Sequence, residues 1–210
     1  MPRFLRLIGL LALLWLLAAP AMAMAVPEAP QLKTSVQHYF DGLFEKLANA
    51  AAQHPTPDTF RNIMKPLVKD IDGLYGATLI DNDFIIRQVY FRRNFLARGY
   101  DLKKVEELDY FWKQMHLSPS PQLSEPGHGS LLQPRLIAMR SPIIENGALT
   151  GVVSMMIRTD AFLKATGLDQ CQAYRITCRG QEAESKGDLG ATFQQVHLQL
   201  PATDWLIEYR

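Results

Sequence analysis

Several absences narrow the chemistry of this chain before any motif is considered. Neither charge dominates, since 22 lysines and arginines face 21 aspartates and glutamates, so no basic field exists to hold a nucleic-acid backbone. The sequence has no Gly-x-Ser-x-Gly elbow, no His-Glu-x-x-His and no Gly-x-x-x-x-Gly-Lys phosphate loop. Its acidic residues fall in no spacing that marks a general acid and base, so the expectation is a protein that is not an enzyme. His38, His54, His116 and His197 are scattered without ligand spacing, and neither a metal nor another cofactor is expected. Cysteine is nearly missing too. Only Cys171 and Cys178 occur, separated by a stretch that reads as one strand. Seven extended residues span roughly 23 Å, whereas bridged Cα atoms lie roughly 5.5 Å apart, so two free or intermolecular thiols are expected.

Long hydrophobic runs are also scarce: there is one, at the start. Arg3 and Arg6 precede the leucine-rich residues 7–19, Pro20 ends them, and Ala21-Met22-Ala23 has the small-x-small form of a signal-peptidase site. Ala23-Met24-Ala25 offers a second register, so residues 1–23 read as a signal peptide cut after Ala23 or Ala25. The alternative is an uncleaved N-terminal membrane anchor over residues 7–26, just long enough to cross a bilayer. Loss of Arg3 and Arg6 with the leader would leave 20 basic against 21 acidic residues. An exported, periplasmic protein is expected, soluble or tethered at its N-terminus. Apolar residues at 48% and charged ones at 20% fit a folded chain of one domain.

The strongest local pattern lies in residues 134–158. Two apolar runs flank Asn146-Gly147, the dipeptide that a tight hairpin prefers because both central residues need positive φ. Val152, Val153, Met155, Met156 and Ile157 predict a strand buried on both faces. Upstream, residues 26–33 read as a linker with two prolines, followed by a single domain over 34–210. Val36, Phe40, Leu43, Phe44 and Leu47 repeat at helical spacing, predicting a helix over 33–53. A second helix is predicted after an Asp58 N-cap, with Pro66 inside its apolar stripe. Strands over 75–80 and 84–91, joined at Asp81-Asn82-Asp83, a helix over 102–115 and a loop over 117–130 follow. A helix over 160–166 stopped by Gly167, then strands over 172–178, 192–199 and 204–209, complete the pattern. The fold class is α+β, with N-terminal helices packed on a central, largely antiparallel sheet. One sheet face takes the helices, and a pocket is expected on the other, beneath the long loop and the aromatic segment.

The chain resembles the Cache, or PDC, sensor domains, the PAS-like ligand-binding modules of bacterial chemoreceptors and sensor kinases. The matching pieces are Gly76-Ala77-Thr78-Leu79-Ile80-Asp81 after a long helix, Gly99-Tyr100-Asp101-Leu102, and Asp109-Tyr110-Phe111. Ser124-Glu125-Pro126, Ser141-Pro142-Ile143, Asn146-Gly147 and Gly151-Val152-Val153 continue in order, so that the match covers about residues 30–200. This resemblance implies an N-terminal helical stalk, a central antiparallel sheet, and a small ligand between the sheet and the loop-helix segment. Amino-acid-binding members carry an arginine before the aromatic pair and an aspartate late in the second hairpin strand. Leu108 and Met156 stand near those places here, which implies some other ligand. Family sensors usually continue into a second membrane span and an output module, whereas this sequence ends at Arg210. Signalling through a separate membrane kinase or chemoreceptor is therefore expected, with a homodimer through the N-terminal helix as a further expectation.

Arg140 is the sharpest candidate for a ligand-binding residue. A guanidinium within an apolar strand needs a partner. Either it clamps a carboxylate or similar small anion through its planar fork, or it pairs internally with Asp81 or Asp109, or it sits at a solvent-facing edge. Tyr110 and Trp112 are candidate pocket walls, Phe111 a core anchor. Ser154 and Met156 share one strand face, Val153 and Met155 the other, and the family comparison turns the first pair toward the pocket. Arg92 and His128 complete the candidate ligand set, each with a solvated loop as its alternative. The function expected is a non-catalytic periplasmic sensor of a small molecule. The alternative is an exported assembly subunit that keeps the fold without a pocket.

Overall fold

The computed structural model describes residues 26–91, 97–127 and 134–210. Residues 1–25, which contain the stretch 1–23 read as a signal peptide, lie outside them. No helix among the described residues is long and apolar enough to cross a membrane.

Helix α1 (Ala29–Ala51) begins inside the stretch read as a linker. Pro30 explains the difference: a proline in the first turn loses no hydrogen bond and its fixed φ suits a helix start. The predicted apolar stripe is buried, with Val36, Phe40 and Leu47 fully so. Helix α2 (Phe60–Val68) is capped by Thr59, not by Asp58. Thr56 and Thr59 instead close the turn on each other, hydroxyl to hydroxyl at 3.1 Å and backbone N–H to hydroxyl at 2.9 Å. Pro66 is accommodated within α2.

Two antiparallel sheets follow, where one central sheet with trailing strands was expected. The first contains β1 (Leu74–Asp81), β2 (Ile86–Phe91), β3 (Gln122–Leu123), β4 (Leu136–Glu145) and β5 (Ala148–Arg158), in the order β2-β1-β5-β4-β3. The β4–β5 hairpin turns at Asn146 (φ 51°) and Gly147 (φ 79°), as the dipeptide predicted. Residues 102–117 form two short 3-10 turns, Leu102–Lys104 and Glu106–Leu108, and then α3 (Asp109–Leu117). The longer helix predicted there is interrupted because the Asp101 carboxylate accepts the Lys103 N–H (3.0 Å) and Val105 is extended. Helix α4 (Thr159–Thr166) ends at Gly167. The second sheet, ordered β7-β6-β9-β8, contains β6 (Tyr174–Cys178), β7 (Gln181–Lys186), β8 (Gln194–Leu200) and β9 (Thr203–Tyr209).

Strand periodicity divides the first sheet into two faces. Ala77, Leu79, Met139, Val153, Met155 and Ile157 join α1, α2, α4 and the inner face of the second sheet in one continuous core. Ile80, Ile86, Val89 and Val152 face the other way, against Phe84, Leu102, Phe111 and Met115. The sheet thus lies between a helical cover and a flap made of residues 97–127.

Cys171 and Cys178 are both buried and unbridged, as predicted. Burial, reinforced by the Glu125 charge, pushes the Cys178 thiol up to about 12. Thiol titration at pH 8 is expected to find no reactive cysteine in the native protein and two after unfolding. Rapid native labelling would show that the second sheet opens readily around β6.

Candidate functional site

Register places one row of side chains across all five strands of the first sheet: Val89, Thr78, Ser154, Arg140 and Gln122 are successive cross-strand partners. Directly opposed residues share a face, so this whole row points at the flap. Gln122 donates to the Phe111 carbonyl at 3.4 Å, holding the start of α3 above the row. The Phe111 ring then lies over Arg140, with the guanidinium carbon 4.0 Å from its centroid.

Arg140 itself is 8% exposed. It is not at an edge, since β4 runs between β5 and β3, and it does not pair with either acid proposed from the sequence. Asp81 accepts the Asp83 and Ile85 N–H groups on one oxygen and Arg87 on the other. Asp109 is taken by Lys113 (2.6 Å) and by the Trp112 indole N–H (3.2 Å), and the Lys113 bond holds its carboxyl below the usual range. The Arg140 backbone is held in the sheet between Ser154 and Gln122, but no hydrogen bond joins its guanidinium to any described residue. Burial draws its guanidinium down to about 10, with the Glu125 carboxylate opposing the change. It therefore remains cationic at neutral pH, and among the described residues an aromatic face and a carboxylate beyond ion-pair distance are what stabilise it.

Two cavities meet at this residue. The inner one, about 260 Å³, lies on the sheet and is lined by Thr78, Ile80, Leu108, Arg140, Ser154 and Met156 among others. The outer one, about 230 Å³, is bounded by Tyr110, Phe111, Ser124, Glu125, Arg140 and Arg179. Leu108, Ala138 and Arg140 line both. A larger cleft of about 580 Å³ opens beside Glu107, Glu125 and Glu182, but its Arg179 is already paired.

The structure distributes the candidate residues unevenly. Arg140, Ser154 and Met156 come together in the inner cavity, with Ser154 and Met156 on one strand face as alternation predicted. Tyr110 lines only the outer cavity; its hydroxyl donates to the Ala202 carbonyl (3.2 Å) and its ring carries the Arg179 guanidinium at 4.5 Å. Trp112 lines neither cavity, packing instead near Phe84 with ring centroids 6.4 Å apart. Arg92 and His128 lie outside the described residues. Sequence reasoning missed Thr78, Glu125 and Arg179. Thr78 could have been found from its register with Ser154. Nothing in spacing connects Glu125 to Arg179, 54 positions away.

The last pair matters to the geometry of the flap. One Arg179 nitrogen donates to both Glu125 oxygens at 2.7 Å. With the Tyr110–Ala202 bond, it ties the segment after α3, and α3 itself, to the β6–β7 and β8–β9 turns of the second sheet.

No family model and no curated protein matches the chain. Solved structures do. An extracellular ligand-binding receptor from Desulfohalobium retbaense aligns with a TM-score of 0.66 at 17% identity over 88% of this chain, which spans 40% of that receptor. The ligand-binding domain of the amino-acid chemoreceptor PctC of Pseudomonas aeruginosa PAO1, in complex with GABA, aligns at 0.60 with 12% identity over 86% of this chain and 95% of its own. That of the Pseudomonas fluorescens chemoreceptor CtaA, in complex with L-alanine, aligns at 0.59 with 16% identity over 86% and 92%. The chain shares the fold of these chemoreceptor ligand-binding domains, as its resemblance to the Cache family implied.

Proposed function

We propose that the chain is an exported sensor module, without catalysis, that binds a small anionic molecule in the inner cavity and reports its occupancy to a membrane signalling partner such as a kinase or chemoreceptor. The observation that carries this reading is the buried, charged Arg140, whose guanidinium has no hydrogen-bond partner among the described residues and faces a cavity lined also by the Ser154 and Thr78 side chains. A buried charge left in that condition is costly, and a carboxylate or similar anion meeting its fork in bidentate fashion removes the deficit. The shared fold supports the same reading, since the PctC and CtaA domains carry GABA and L-alanine. Arg140, Ser154 and Met156 are the proposed ligand contacts, with Tyr110 supporting the outer wall and Trp112 the packing of α3. Arg92 and His128 belong to the proposal as further candidate contacts from the sequence.

Signalling follows from what the flap touches. A ligand that favours one placement of α3 and residues 122–127 over another shifts that population. The Glu125–Arg179 and Tyr110–Ala202 contacts carry the shift to the second sheet. The signal segment supports a periplasmic setting.

A thermal-shift screen with small carboxylates, amines and purines tests the reading. A true ligand at a hundredfold over its dissociation constant should stabilise by about 2.7 kcal/mol, raising the melting temperature by roughly 5–11 °C for a domain of this size. Arg140→Met should abolish that response. The same substitution should stabilise the ligand-free protein by ~1–4 kcal/mol, because it exchanges a buried, unpaired charge for an apolar side chain of similar length. A structural role for Arg140 gives the reverse: Arg140→Met melts earlier and binds as before. A screen in which no compound raises the melting temperature would overturn the sensor reading.

A further inference from the structure

The inner cavity points to a narrower ligand class, and this step rests on the reading of that cavity as the sensor site. We propose that it takes a small monocarboxylate with an apolar body, and that it rejects dicarboxylates and zwitterionic amino acids. Three observations converge. Arg140 is the single charged side chain among the described lining residues, so one anionic group can be matched and a second would be buried unpaired. No described lining residue is acidic, three acids nearby are committed elsewhere (Asp81 to Arg87, Asp109 to Lys113, Glu125 to Arg179), and Glu107 lines the outer cavity and not the inner one. An ammonium group would therefore find no counter-charge.

The third observation is the placement of polar and apolar groups. The polar groups form one strip, because Thr78, Ser154 and Arg140 are consecutive partners across β1, β5 and β4. Next to the strip lie Ile80 on one side and the cross-strand pair Ala138 and Met156 on the other, while Ile86, Leu102 and Leu108 close the cavity. A carboxylate seated on Arg140, with the two hydroxyls as further donors, leaves only apolar surface for the rest of the molecule. The volume, about 260 Å³, holds on the order of nine non-hydrogen atoms at ~30 Å³ for each water-sized group. That suits hexanoate or benzoate.

Isothermal titration of the mature protein with hexanoate, benzoate, succinate, L-leucine and hexylamine separates the possibilities. Hexanoate or benzoate is expected to bind on the order of 100-fold more tightly than succinate and leucine, because the extra charged group of each goes unpaired. Ser154→Ala should weaken the monocarboxylate several-fold, and Arg140→Gln should abolish its binding, with circular dichroism confirming that both variants fold. Tighter binding of leucine or succinate would overturn the monocarboxylate class and leave the sensor reading intact. Binding of hexylamine alone would overturn the class and the Arg140 clamp with it. Failure of all five while another compound of the wider screen binds would likewise overturn the class, and failure of every compound would overturn both.

Discussion

Gly73→Ala should cost about 2–5 kcal/mol and lower the melting temperature by roughly 10 °C. Gly73 precedes β1 with φ +71°, where any side chain costs ~1–2 kcal/mol. Space makes matters worse. A Cβ there would fall 2.0 Å from the Ala161 Cβ on α4, with the Ala161 Cα at 3.5 Å and the Ile157 Cγ2 at 3.8 Å. Neither partner can rotate away, since Ala161 ends at that carbon and the Gly73 carbonyl is held by the Arg158 N–H at 2.9 Å. Helix α4 must shift as a body, in a core packed to crystal-like density. Gly147→Ala is the control: its φ is +79°, yet nothing lies within 4 Å of the added carbon, so it carries the backbone strain alone. In urea denaturation Gly73→Ala should lose clearly more than Gly147→Ala, and Ala161→Gly in the same chain should recover the difference. Equal losses would mean that α4 adjusts without cost.

How much of this could be read in the sequence depended on whether a feature was local. The Asn146-Gly147 turn was legible because the dipeptide alone demands its backbone, and β5 was legible because Val152 to Ile157 is apolar on both faces but for Ser154. Alternation along that strand puts Ser154 and Met156 on one face whatever its partners are, and the turn then sets the register. Strand β3 was not legible. It is two residues long, set among prolines, and only Gln122 opposite Arg140 and Leu123 opposite Met139 define it. Strand β7 escaped for another reason: it is an edge strand of mostly polar residues with only Ala183 and Glu184 buried, so it carries no apolar alternation. The state of Arg140 was beyond reach, because it depends on Asp81 and Asp109 being occupied elsewhere, and such commitments are spatial.

Phe162→Ala should cost about 3–5 kcal/mol and lower the melting temperature by roughly 6–20 °C, as one transition. Phe162 is fully buried and stacks on Phe40 at 5.2 Å with the planes 22° apart. It also meets Trp205 edge-on at 5.8 Å and Tyr39 at 5.6 Å. Those contacts tie α4 to α1 and to β9, so the ring sits within the core that both sheets share. The same continuous core holds Val153 and Met155 of the first sheet with Ile176, Val196 and Ile207 of the second. A cavity at its centre therefore weakens both together, and a chain with one contiguous core unfolds cooperatively. Fluorescence can watch this from two places, because Trp205 lies in the shared core while Trp112 lies on the flap side, packed against the smaller cluster around Phe84. Trp112→Phe and Trp205→Phe versions of the chain should each melt in step with circular dichroism, with and without Phe162→Ala. If the Trp205 signal were lost first, leaving the first sheet folded, the two sheets would be separate units. The Glu125–Arg179 and Tyr110–Ala202 contacts would then join two bodies that move independently. A shared core makes the opposite demand on signalling: occupancy must be conveyed by small shifts of the flap against a rigid pair of sheets, and ligand should raise both fluorescence midpoints equally.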